Sequence, residues 1–111
     1  MDIRFEDVDN KLIAYMTGEL DHHSAQEVRA KIDDRLIMHN INKLIMDFSG
    51  VTFMDSSGIG VVIGRYKKLS YNNGKVCITN VNENVKRVFE LSGMFKIIDL
   101  YDNNEEALHN M

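Results

Sequence analysis

The chain has 111 residues, 44% of them hydrophobic, with a formal net charge of −4 and a pI near 5.5. That length supports one domain, 1–111, around one core, and the acidic balance argues against general nucleic-acid binding. No apolar run approaches the ~20 residues of a membrane span, and the acidic start Met1-Asp2-Ile3-Arg4 is no signal peptide, so a cytoplasmic protein without membrane contact is expected.

Ile3–Val8 and Lys11–Thr17 flank the tight-turn pair Asp9-Asn10 and read as a β-hairpin. Gly18-Glu19-Leu20-Asp21-His22-His23 then reads as a loop. Ser24-Ala25-Gln26-Glu27 matches a capping box, with Ala25, Val28, Ile32 and Leu36 as the buried stripe of a first helix and Asn40 as its stop. Asn42–Phe48 has the length and composition of a buried strand, closed by the turn signal Ser49-Gly50.

The loop from Ser49 leads into Asp55-Ser56-Ser57-Gly58, where all of the first three residues are good helix N-caps. The apolar spacing predicts a helix from about Ser57 to Tyr71, with Ile59, Val62, Ile63, Tyr66 and Leu69 inward. Ser57, Val61, Gly64 and Lys68, with Gly60 beside them, are expected on the opposite face. A helical glycine costs about 0.5–1 kcal/mol relative to alanine, so Gly60 and Gly64 imply close approach, either within the domain or by another surface.

Asn72-Asn73-Gly74 turns the chain into the strand Lys75–Thr79, where the one cysteine, Cys77, reads as a buried small side chain that forms no intrachain disulfide. A third helix is expected from about Asn82 to Ser92, with Val85, Val88, Phe89 and Leu91 inward and Gly93 as its stop. Phe95–Leu100 reads as a last strand and Asn103–Leu108 as a short last helix. The resulting order, β-β-α-β-α-β-α-β-α, predicts an α/β domain: a mixed, mostly parallel sheet of about five strands packed with about four helices. In such a sheet the loops at the carboxyl ends of strands gather at one edge, which brings Asp21 and Ser56 together.

A phosphate on either serine of the pair would meet free N–H groups and the positive end of a helix dipole, while adding roughly −1.5 to −2 charges beside Asp55. Other chemistries fit less well. His22-His23 with Asp21 lacks metal-ligand spacing, and Gly58-Ile59-Gly60-Val61-Val62-Ile63-Gly64 is one residue too long for a dinucleotide fingerprint. Ser56 with His22 or His23 and Asp21 as a hydrolase triad lacks the nucleophile elbow and a water-excluding cleft. No catalytic residue, metal or cofactor is assigned.

Gly18-Glu19-Leu20-Asp21-His22-His23, Phe53-Met54-Asp55-Ser56-Ser57-Gly58-Ile59-Gly60, Gly64-Arg65-Tyr66-Lys67, Val85-Lys86-Arg87-Val88-Phe89 and Leu91–Ile98 together resemble the STAS-domain anti-sigma factor antagonists, in particular those of the sporulation sigma-F pathway. The resemblance implies a non-enzymatic switch. Its unphosphorylated form would bind an ATP- or ADP-bound anti-sigma factor that is also a serine kinase, and so free the sigma factor. Phosphorylation at the first serine of the pair, Ser56, would end that binding, and a PP2C-type phosphatase would reset it. Asp21, Asp55, Ser57, Gly60, Val61, Gly64 and Lys68 would then line the docking surface. An antagonist in a stress-response pathway, a ligand-sensing STAS module and a small serine hydrolase are the alternatives.

Overall fold

The computed structural model describes residues 1–111. Strands β1 (Asp2–Val8) and β2 (Lys11–Leu20) pair antiparallel across Asp9-Asn10, whose φ angles of 48° and 66° are those of a tight hairpin turn. β3 (Lys43–Met54), β4 (Lys75–Thr79) and β5 (Asp99–Tyr101) extend the sheet in parallel, in the order β1-β2-β3-β4-β5. Helices α1 (Ala25–Met38), α2 (Ser56–Ser70) and α3 (Glu83–Ser92) make the crossovers, and α4 (Asn104–Asn110) follows β5. This is the mixed, mostly parallel α/β sheet with four helices that the pattern predicts.

The core is unequally shared between the two faces of the sheet. A cluster of 22 buried residues, including Leu12, Leu44, Met46, Phe48, Val62 and Phe89, unites one sheet face with α1, α2 and α3. On the reverse face Ile13, Ile45, Cys77 and Ala107 form a cluster of four under α4. That division follows from strand alternation, in which neighbouring residues point to opposite faces.

Several local expectations are corrected. Ser49-Gly50 is not a turn: β3 runs through it to Met54, bent by a register shift against β2, with the Ser49 N–H donating to Asp47 Oδ1 at 2.8 Å. A Cβ at Gly50 would lie 2.7 Å from the Met16 carbonyl oxygen, so the strands meet this closely only because residue 50 has none. β2 likewise continues to Leu20, which shortens the loop expected from Gly18 to Asp21–Ser24.

Phe95–Leu100 is not one strand either. Met94 and Ile98 are both buried, and their spacing of four suits a helical turn, so a 3-10 turn at Met94–Lys96 precedes the three-residue β5. Leu91 is 80% exposed, because Phe89 takes the inward position and Leu91 falls about 200° round the helix from it. A further correction concerns the start of α1 and belongs to the site.

Candidate functional site

The carboxyl ends of β2 and β3 both extend beyond the rest of the sheet, and the two connections that leave them touch. Asp55 N–H donates to the Leu20 carbonyl at 3.3 Å, and His22 N–H donates to Asp55 Oδ2 at 3.3 Å. The segment holding Asp21 and the segment holding Ser56 are thus stitched through Asp55.

Asp55 is also the N-cap of α2. Its backbone is extended (φ −112°, ψ −169°) and Oδ1 accepts the Ser57 N–H at 2.8 Å. With Asp55 as cap the helix starts at Ser56, one residue earlier than expected, and neither serine side chain is needed for capping. Ser56 is exposed, Ser57 half-buried. Of the two serines, Ser56 is the more accessible.

Asp21 caps the other segment. Its Oδ1 accepts the N–H groups of His23 (2.9 Å) and Ser24 (3.1 Å), while Ser24 Oγ accepts the Asp21 N–H at 3.0 Å and donates to the Glu19 carbonyl. This reciprocal arrangement is a capping box, but it spans Asp21 to Ser24 and not Ser24 to Glu27; Ser24 makes no cap bond of its own, and Glu27 pairs with Lys31 at 2.8 Å. Asp followed by Ser three residues later was the signal that marks it. Burial alone would raise the Asp21 carboxyl; the N–H donors Ser24 and His23 outweigh it and hold the group below the usual carboxylate range.

The face of α2 differs from expectation at Val61. Val61 is 1% exposed, because α2 packs sideways onto α1 as well as down onto the sheet. Arg65, also buried, lies one turn further on, with Nε 2.9 Å from Asp33 Oδ1 of α1, an ion pair whose atoms are close but poorly aligned for a hydrogen bond. Lys68 reaches the same Asp33 at 3.2 Å and borders the α1 contact. Val61 is thus withdrawn from any docking surface, and Lys68 is engaged within the chain. Arg65 and Asp33 escaped the sequence reading because charged residues at a helix interface break the apolar pattern that marks a buried face.

Gly60 is exposed and Gly64 half-buried, and a Cβ built on either meets no atom within 4 Å. Packing within the domain therefore does not account for them. Clefts of about 260 Å³ and 220 Å³ lie elsewhere, one around Tyr66, Cys77 and Tyr101 and the other between Leu36 and Leu69, while a polar cleft of about 350 Å³ adjoins the corner, lined by Glu19, Asp21, His23, Ser24 and Glu27 with Met1. Chemically, the corner offers an accessible hydroxyl at a helix start, flanked by two carboxylates that serve as caps.

The model of the STAS domain family matches residues 2–107. The chain belongs to that family. Across 97 residues this STAS domain is 39% identical to the anti-sigma F factor antagonist of Paenibacillus polymyxa, a match covering 87% of this chain and 83% of that one. It also overlays the anti-sigma factor antagonist SpoIIAA in its unphosphorylated form with a TM-score of 0.83, at 32% identity and over 98% of this chain and 94% of that one. The phosphorylated form of SpoIIAA, a Bacillus cell fate determinant, matches with a TM-score of 0.75 at 31% identity, over 98% and 97% of the two chains. No helix of this STAS domain is long and apolar enough to cross a membrane.

Proposed function

We infer that this protein is an anti-sigma F factor antagonist that acts by partner switching: unphosphorylated, it binds the anti-sigma factor and releases the sigma factor; phosphorylated on Ser56, it lets go. The observation that carries the assignment of Ser56 is its position. It is the exposed first residue of α2, and Asp55 performs the capping that would otherwise occupy its hydroxyl.

The anti-sigma factor is the proposed kinase, and a PP2C-type phosphatase the proposed reset, all in the cytoplasm. A kinase supplies nucleotide, metal ions and base, so its substrate need only hold a hydroxyl in line with the γ-phosphate. The protein is then a substrate and a ligand, without catalysis of its own. The new phosphate brings roughly −1.5 to −2 charges next to Asp55 and near the Asp21 cap, inside what was a docking surface. Like-charge crowding in an interface weakens binding several-fold or more without any need to unfold the domain. Gly60 and Gly64 support the same reading, since a smooth, unfilled stretch of α2 beside Ser56 admits a partner's backbone closely.

The test is peptide-mapped mass spectrometry after incubation with the cognate anti-sigma kinase and ATP. One phosphate is expected on the wild type and on Ser57→Ala, and none on Ser56→Ala. Phosphate retained by Ser56→Ala, or absent from all three proteins, would sink the assignment.

A further inference from the structure

Ser56 heads an outward stripe that continues far beyond the phosphorylation corner. At ~100° per residue, Ser56, Gly60, Ile63, Lys67 and Tyr71 fall within about 80° of one another down the whole length of α2. Tyr71, the C-cap residue, keeps helical angles (φ −65°, ψ −22°), so it continues the same line. Ser56, Gly60 and Lys67 are exposed, and Tyr71 is 89% exposed.

The stretch of chain that runs on from the far end of the stripe is unlike the rest of the sequence in charge, with Asp99 the carboxylate that lines the same cleft as Ser70 and Lys75. Residues 65–96 hold seven of the 13 Lys and Arg but two of the 17 Asp and Glu, a local excess of five positive charges in a chain of net charge −4. Arg65 and Lys68 are occupied by Asp33, whereas Lys67, Lys75, Arg87 and Lys96 are exposed and have no carboxylate within ion-pair distance. Exposed apolar side chains accompany them: Tyr71 on α2, and Leu91, which shares a face of the adjacent α3 with Arg87.

We propose that the docking surface headed by Ser56 extends along α2 to Lys67 and Tyr71, which hold an acidic, apolar-bearing segment of the same anti-sigma factor. The proposal rests on the reading of Ser56 as the switch residue. Unpaired basic charge on an otherwise acidic protein selects an acidic partner surface and speeds the encounter with it. A nearly bare tyrosine in its midst is the kind of rigid, amphipathic side chain that anchors interfaces. Lys67 lies eleven residues from Ser56, about 16 Å along the helix at ~1.5 Å per residue, and so about two Debye lengths away at physiological ionic strength. The two ends of the surface therefore act independently: the phosphate releases one and leaves the other unchanged.

The experiment is calorimetric titration of the anti-sigma factor, at low and at physiological salt, into the wild type, Lys67→Glu, Tyr71→Ala, Ser56→Asp and the pairs with Ser56→Asp. Lys67→Glu is expected to weaken binding about fivefold to tenfold at low salt and less at high salt; Tyr71→Ala, about tenfold at either. Each factor should recur unchanged on the Ser56→Asp background. Lys11→Glu, the same change of net charge on the hairpin, should stay within about twofold of wild type, as distant surface sites do.

Unchanged affinity in both Lys67→Glu and Tyr71→Ala overturns the proposal, and so does an equal loss in Lys11→Glu. Salt-sensitive self-association of the wild type that Lys67→Glu abolishes overturns it too, since the face would then be a contact between copies. A wild type that neither binds nor takes phosphate on Ser56 brings down the switch reading itself, and this proposal with it.

Discussion

Cys77 shows how far a single side chain's chemistry is set by where its strand places it. It points into the small cluster under α4, is 2% exposed, and burial, helped by Asp99, pushes its thiol from 9.0 up to about 12. Between those values the unfolded chain has released a proton that the folded protein still holds. Stability is therefore indifferent to this group below about pH 9 and falls as pH rises from there towards about 12, by at most about 1.4 kcal/mol per pH unit. Denaturant titrations from neutral pH to about pH 10.5 should show a steeper alkaline decline in the wild type than in Cys77→Ala; parallel curves would refute the placement. The burial of Cys77 was legible, because a small thiol between valine and isoleucine reads as interior. The role of Asp21 was legible only in part: both Asp21 and Ser24 are capping residues, and what separates cap from partner is which carboxylate reaches two successive N–H groups.

For α2 the sequence carried the existence and length of the helix and its start to within one residue, because Asp-Ser-Ser-Gly marks a beginning and the apolar spacing marks a period. Its rotation was not carried. A helix that packs on a sheet alone buries one arc; α2 also packs on α1, and the Arg65–Asp33 pair turns Val61 inward. The glycines of the exposed arc yield a prediction in two parts. Because nothing lies within 4 Å of a Cβ at Gly60, Gly60→Ala should fold normally and gain about 0.5–1 kcal/mol in thermal or denaturant unfolding. The same methyl group stands on the proposed docking surface, so affinity for the anti-sigma factor should fall. Higher stability with unchanged affinity would remove Gly60 from the interface, and lower stability would contradict the open space seen around it. β5 was the element least readable in advance, since three residues of strand preceded by a buried helical turn leave no alternating pattern to find.

At the scale of the molecule, three helices cover one face of the sheet and only the seven-residue α4 covers the other. α4 is held by the apolar cluster of Ile13, Ile45, Cys77 and Ala107 and, at its start, by Asn104, which joins the polar contacts around buried Asp47: Oδ2 accepts from Asn104 at 2.8 Å and from Asn80 at 3.2 Å, while Oδ1 accepts the Ser49 N–H. Asp47→Ala removes the acceptor shared by the half-buried amides of Asn80 and Asn104 and by the Ser49 N–H, and should lower stability by about 1–3 kcal/mol. Amide hydrogen exchange in α4 should accelerate before that in β3; uniform acceleration would mean that α4 and the sheet open together.

The helical start at Ser56 has a last consequence for the proposed switch, in which one residue serves as both substrate and ligand. Phosphorylated serines in disordered tails must be ordered at each encounter, and that ordering subtracts from affinity. Here the fold has preorganised the hydroxyl before any partner arrives. A kinase that meets it loses little to ordering, so the unmodified corner can remain bound for long as an inhibitor, and the same geometry lets a single chemical event end the stay.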